Sequence, residues 1–249
     1  MNSSPRPLAI VSGGSRGLGF ETARGLAARG YDLALIAKDV ARLSAAKDQL
    51  LAEFSASQSG VSITTHAADL ESQAATRKVA EEINAALPTA QVMVLAHGVM
   101  SEKMSKTLRT TSQEWRRVMA INLDSTFIAI NTLAPAMAEA RNGRVIIFSA
   151  CLGRMSGPGN TGGLAPYRIS KAGVNALVRN LAHETGQGGR GFLVDAICPN
   201  HSRTDMGGPD APRSAEEGAA TAIWLATRKF EAGTDQTGLF WEDQVVIPW

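Results

Sequence analysis

Two patterns in the sequence carry residue types able to do chemistry. The first is Tyr167-Arg168-Ile169-Ser170-Lys171, which sets a phenol and an ammonium four positions apart at the expected start of a helix, hence on one face. A tyrosine of ordinary pKa near 10 exchanges protons poorly at neutral pH. A neighbouring cation favours the phenolate, which is what a general acid in carbonyl reduction, or a base in alcohol oxidation, requires. The second is Ser12-Gly13-Gly14-Ser15-Arg16-Gly17-Leu18-Gly19, between an apolar run and an amphipathic one. Glycines at 13, 17 and 19 allow a tight turn, close approach of a pyrophosphate to backbone amides and close packing of helix on strand. Gly13, Ser15, Arg16, Gly17, Leu18 and Gly19 are therefore candidate dinucleotide-binding residues.

The end of the second apolar run chooses between dinucleotides. An acid there would bind an unphosphorylated adenosine ribose, whereas a cation suits a 2′-phosphate. The residues are Ala37-Lys38-Asp39, with Arg16 as a second cation. Lys38 and Arg16 favour NADP over NAD, and pairing of Asp39 with Lys38 is the arrangement that would neutralise the site.

The elements that must position these groups are legible as alternation. Short β-branched runs at Leu8–Val11, Leu33–Ala37, Val61–Thr65, Val92–Ala96, Val145–Ser149 and Phe192–Cys198 alternate with helical patterns. The helices are expected at Leu18–Arg29, Ala41–Phe54, Gln73–Leu87, Gln113–Ala140 and Ser170–Glu184, with Gly30 and Gly143 as C-caps. This rhythm predicts an α/β Rossmann fold: a doubly wound parallel sheet, helices on both faces, ligands at the carboxyl ends of the strands. No linker of changed composition divides residues 1–249, so one domain is expected, with a short lid at about 205–215.

The chain has 249 residues, 25 basic against 23 acidic side chains and 44% hydrophobic residues. A chain of this length buries roughly three-quarters of its unfolded surface and needs no metal or disulfide staple. A net charge of +2 gives no reason to expect nucleic acid or an anionic membrane as partner. No apolar run reaches the roughly 20 residues of a membrane span, and Met1–Pro7 does not read as a signal peptide. Cys151 and Cys198 are too few for a disulfide framework, so a reducing, cytoplasmic setting is expected, with Cys151 an inert buried thiol. The four histidines have no zinc-ligand spacing, and no metal is expected.

Taken in order, the glycine turn, Asp69, Asn122 in Met119-Ala120-Ile121-Asn122-Leu123, the Tyr167/Lys171 pair and Pro199–Thr204 resemble the short-chain dehydrogenase/reductase family over essentially the whole chain. Asn160-Thr161-Gly162-Gly163, Arg203–Gly208 and the ending Ile247-Pro248-Trp249 resemble its carbonyl-reductase-like bacterial members. The resemblance implies Tyr167 as proton donor, with Lys171 lowering its pKa and holding the nicotinamide ribose. It implies Asn122 interrupting its helix and holding a relay water, and Asp69 and Leu70 beside the adenine. Further cofactor contacts follow at Ala96, Gly98, Pro199, Ser202 and Thr204, with a carbonyl or alcohol as substrate and a homodimer or homotetramer as assembly. For Asp69, capping of the following helix is the competing role.

Several positions depart from that pattern. The family's serine, three residues before a glycine after the fifth strand, corresponds to Ala150, counted back from Gly153. Ser149 is one residue early and faces away unless the backbone bulges, in which case one residue of slippage would restore the role. His97, Asn200, His201 and Ser202 also depart from the usual residues, and Ser149, His97, His201 and Ser202 are the candidates to replace the serine. The alternative function is a redox-silent NADP(H)-binding sensor or partner protein on the same fold.

Overall fold

Alternation within the central strands, with both sets of side chains apolar, determines the architecture. In a computed structural model, which describes residues 6–54, 60–87, 90–102, 105–157, 162–231 and 235–249, the six apolar runs form parallel strands. These are β1 (Leu8–Ser12), β2 (Asp32–Ala37), β3 (Ile63–Ala67), β4 (Val92–Leu95), β5 (Gly143–Phe148) and β6 (Phe192–Ile197). Two short strands, β7 (Phe240–Glu242) and β8 (Val245–Ile247), complete the order β3-β2-β1-β4-β5-β6-β7-β8, and only β8 runs antiparallel to its neighbour.

The helices are α1 (Gly17–Ala27), α2 (Val40–Phe54), α3 (Gln73–Ala86), α4 (Ser112–Met119), α5 (Ser125–Glu139), α6 (Ala165–Glu184) and α7 (Ala215–Thr227). Leu8, Ile10, Met93, Leu95, Val145 and Ile147 face one core with Val79 and Ile83 of α3, Leu133 and Met137 of α5, and Val174 and Val178 of α6. The alternate residues Ala9, Val11, Val92, Val94, Ile146 and Phe148 face a second core with Leu26, Leu43, Leu50 and Leu225. Each fully buried aliphatic side chain contributes about 2 kcal/mol, so both faces drive the sheet together. This is the expected doubly wound α/β fold.

Three local expectations change. The single helix expected over Gln113–Ala140 is α4 and α5 joined by a π-helical turn at Ala120–Asp124, with Asn122 buried inside it. Gly143 is the first residue of β5, not a C-cap; a Cβ there would meet the Phe192 ring at 2.6 Å. Arg141, at φ 53°, takes the left-handed position after α5 instead. Gly30, at φ 83°, does end α1, its N–H donating to Ala27 O. Finally, α7, β7 and β8 were not anticipated. Buried Asp195 of β6 fastens them: it accepts from Trp241 Nε1 and Leu239 N–H at 3.1 Å each, and Arg228 lies 3.5 Å away.

The strand order reverses between β1 and β4, which opens a crevice at their carboxyl ends. Among the described residues no helix is long and apolar enough to cross a membrane. Of the sequence features noted above, Asn160 and Thr161 lie outside the described residues.

Candidate active site

The glycine turn follows β1 and ends at the N-terminus of α1. Gly13 has φ 70° and packs against the main chain after β4: an added Cβ would lie 3.0 Å from His97 N. At Gly19 a Cβ would lie inside van der Waals contact with Gly13 O, so helix and turn approach as closely as backbone allows. The amide groups of the first turn of α1 point out of the helix end, and the helix dipole favours an anion there. Thr204, on the segment after β6, closes over the turn, its Cγ2 lying 3.1 Å from a Cβ built on Gly17. Ser15 and Leu18 lie in the turn and the first turn of α1, and Pro199 begins the segment after β6.

The charges at the end of β2 are distributed otherwise than the sequence suggested. Lys38 pairs with Asp69 at 2.6 Å rather than with Asp39. Asp39 instead accepts from Arg42 N–H at 3.0 Å, and its carboxylate lies 3.6 Å from the Arg42 guanidinium. Asp205, on the segment after β6, pairs with Arg16 and lies 3.6 Å from Arg42. Arg42 is thus a third cation that sequence reading missed, because its approach to Arg16 depends on how α2 leaves the sheet. Ser72, not Asp69, caps α3, its hydroxyl accepting from Ala75 N–H at 3.2 Å, while Leu70 packs against the core. Each ion pair here is exposed and screened by water, so each contributes little to stability.

The other half of the site is buried. Tyr167 and Lys171 lie on one face of α6, with Lys171 Nζ 5.9 Å from the phenol ring centroid. Lys171 Nζ donates to Phe148 O at 2.6 Å. Burial pushes the phenol above its usual 10, and the neighbouring Cys198 and Cys151 push it further the same way. Burial lowers the Lys171 ammonium from 10.5 to about 8. Burial therefore sets the direction of the phenol's shift, opposite to the acidification expected from Lys171.

Loop contacts seat the start of α6. Ser101 Oγ accepts from Tyr167 N–H at 2.8 Å, and Ser105 O accepts from Ala165 N–H at 2.8 Å. Asn122 accepts from Val99 N–H at 2.8 Å and donates to Val99 O and Ser170 Oγ at 3.0 Å each. Gly98 lies where a Cβ would be 3.5 Å from Lys171 Nζ. Ala96-His97-Gly98 therefore connects the two halves, touching Gly13 on one side and Lys171 on the other.

Ala150 is buried directly after β5, and each side chain considered as a replacement for a serine there is engaged elsewhere. Ser149 Oγ donates to Asn175 Oδ1 at 2.5 Å. His97 bonds Ser12 Oγ through Nδ1 at 2.5 Å and Ser125 Oγ through Nε2 at 2.7 Å, and burial lowers its pKa to about 3. His201 Nε2 bonds Gly207 O at 2.7 Å; Ser202 Oγ donates to Pro199 O at 2.9 Å and lies against Gly218 of α7.

Residues 7–214 match the family described as short chain dehydrogenase. The chain belongs to that family. This short-chain dehydrogenase is 32% identical over 200 residues to the 3-oxoacyl-[acyl-carrier-protein] reductase FabG of Escherichia coli K12, covering 80% of this chain and 75% of that protein. It is 28% identical to carbonyl reductase [NADPH] 1 of Sus scrofa, covering 100% of this chain and 96% of that one. Among solved structures, it is similar to a metagenomic short-chain oxidoreductase in complex with NADP, at 28% identity and TM-score 0.74, with 90% and 91% of the two chains covered. A blue fluorescent protein from a metagenomic library, in complex with NADPH, gives 26% identity and TM-score 0.79, with 94% of each chain covered. Membership makes this an NAD(P)-dependent oxidoreductase of small molecules. The glycine cradle, the helix end and the three cations fit such a dinucleotide.

Proposed function

We propose that this short-chain dehydrogenase is an NADP(H)-dependent reductase of aldehydes or ketones, also acting in reverse on alcohols, in the carbonyl-reductase-like branch of its family. Tyr167 is the general acid or base. The observation that carries the reading is continuity: the glycine turn touches His97, Gly98 approaches Lys171, and Lys171 lies over Tyr167. A dinucleotide with its pyrophosphate on α1 would span that distance. Arg16, Lys38 and Arg42, with Ala37 in place of an acid, support a 2′-phosphate and hence NADP.

A nicotinamide bound in the crevice would supply the hydride. Burial keeps the Tyr167 hydroxyl protonated and ready to give its proton to a carbonyl oxygen. Lys171, still cationic below pH about 8, supplies positive charge one helical turn away. Asn122 holds Val99 and Ser170, and through them the first turn of α6. Asp69, Leu70, Ala96, Pro199, Ser202 and Thr204 line the cofactor's course, and the 205–215 segment acts as a lid. Exposed Trp115 and Phe127 on α4 and α5, and Val245 and Val246 on β8, support a homo-oligomer.

Ala150 and the engaged replacements favour a second reading, an NADP(H)-binding protein without turnover. The deciding experiment follows NADPH absorbance against a panel of simple carbonyls. Turnover that Tyr167→Phe abolishes is expected. Tight NADPH binding with no turnover on any carbonyl would establish the second reading instead.

A further inference from the structure

Sequence spacing separates the chain's two cysteines by 47 positions, and the sheet brings them into contact. Phe148 pairs with Ile197 across β5 and β6, so both strands end side by side. Cys198 follows β6, and Cys151 opens a 3-10 turn, Cys151–Gly153, after β5. Cys151 N–H donates to Cys198 Sγ at 3.2 Å, which sets the two side chains against one another. Both thiols also act on the Tyr167 phenol, raising it, so the pair lies near that ring. A Cys198 sulfur bonded to the Cys151 main-chain N–H leaves only a short approach between the two sulfur atoms before disulfide geometry is reached.

The two thiols are not equivalent. Cys151 is partly exposed, against the expectation of a buried, inert thiol, whereas Cys198 is buried. The neighbouring Cys198 lowers the Cys151 thiol, and Arg154 acts in the same sense. Cys151, the thiol that a peroxide can reach, is therefore the nucleophile, and buried Cys198 is the thiol that resolves it.

We propose that Cys151 and Cys198 form a modification site for hydroperoxides that closes to an intramolecular disulfide near Tyr167. The Cys151 thiolate attacks the terminal peroxide oxygen; the O–O bond breaks, the alcohol (or water, from hydrogen peroxide) leaves with a proton, and Cys151 becomes a sulfenic acid. The Cys198 sulfur then attacks the Cys151 sulfur, the S–O bond breaks, and the oxygen leaves as water carrying the Cys198 proton. Two thiols are oxidised and one hydroperoxide is reduced. The chain has no third cysteine, so no other thiol within it competes. The disulfide also bears on the site: Gly153 of the same turn packs so tightly that a Cβ would lie 2.7 Å from Lys171 C, and closure would shift the seat of Lys171.

The test treats the reduced full-length protein with equimolar hydrogen peroxide, counts thiols after denaturation and maps peptides without reduction. Loss of both thiols together is expected, with the Cys151 peptide linked to the Cys198 peptide, the chain still uncrosslinked to others, and dithiothreitol restoring both thiols. In Cys198→Ala, Cys151 should stop as a sulfenic acid that dimedone traps. The proposal is overturned if Cys151 passes to sulfinic acid while Cys198 stays free, if the link forms between chains, or if both thiols survive. Neither mapping nor trapping depends on NADP(H) binding, so this result stands apart from the reductase reading.

Discussion

The two halves of the crevice handle charge in opposite ways. At the glycine turn, Arg16, Lys38 and Arg42 are matched by Asp39, Asp69 and Asp205 in exposed pairs that water already screens. Around Tyr167 the groups are buried, each fixed by a short hydrogen bond to main chain or to another buried side chain. Exposed pairs are cheap to exchange for a ligand phosphate. Buried groups are costly to move but already oriented. Recognition in one half and chemistry in the other follow from that difference in solvent access alone.

The comparison breaks most sharply at the buried half. Tyr167→Phe keeps the ring and its packing but removes the proton, so a loss of turnover of about a thousandfold is expected, with NADPH affinity unchanged in a fluorescence titration. Loss of binding along with rate would mean that the phenol holds the fold rather than the proton. At the exposed half, Lys38→Gln with Arg42→Gln should weaken NADPH by about thirtyfold and NADH by no more than about twofold, since two charge-assisted contacts to the 2′-phosphate go. Equal weakening of both dinucleotides would overturn the assignment of this corner to a 2′-phosphate.

Ala150→Ser asks whether the buried half is complete. Ser149, His97, His201 and Ser202 are all engaged elsewhere. A hydroxyl at 150 should therefore raise turnover on simple carbonyls by about tenfold; a fall would show that the alanine fits a substrate that needs the space. A smaller effect is expected at Asp205, which occupies two of the three cations. Asp205→Asn should tighten NADPH about threefold, leave NADH unchanged, and lose the difference in high salt.

How far the sequence reached follows the same division. Period-two alternation and glycine spacing are local, and they located the parallel strands, the turn and the Tyr167/Lys171 face. Alternation predicts that Ser149 faces away from the pocket; its hydroxyl is engaged by Asn175 of α6. Contacts between residues distant in sequence were invisible: Ser101 and Ser105 seating α6, Asp205 reaching Arg16, and Cys198 reaching Cys151. Three-residue β7 is too short to show a period, and α7, with Gly218 and a run of alanines, gives little amphipathic signal. The pKa balance at Tyr167 was misjudged for a related reason, since spacing reveals a neighbouring cation but not the depth at which both are buried.

That balance yields the most specific prediction. Burial lowers Lys171 from 10.5 to about 8 in the folded chain. Between those values the unfolded chain binds more protons at this position than the folded chain. The contribution of Lys171 to stability therefore rises with pH across that window, and the buried ammonium is a cost below it. Tyr167 acts oppositely at higher pH, because its folded-state pKa is raised. A comparison of wild type with Lys171→Met separates the two, since the variant keeps Tyr167. It also loses the bond to Phe148 O at every pH, so the informative quantity is the slope. The stability of wild type relative to the variant, from urea unfolding, should increase by about 2 kcal/mol between pH 8 and 10.5. A flat difference would mean that the ammonium is as well solvated in the folded chain as in water, and the contrast between a buried and an exposed half would fail at its central residue.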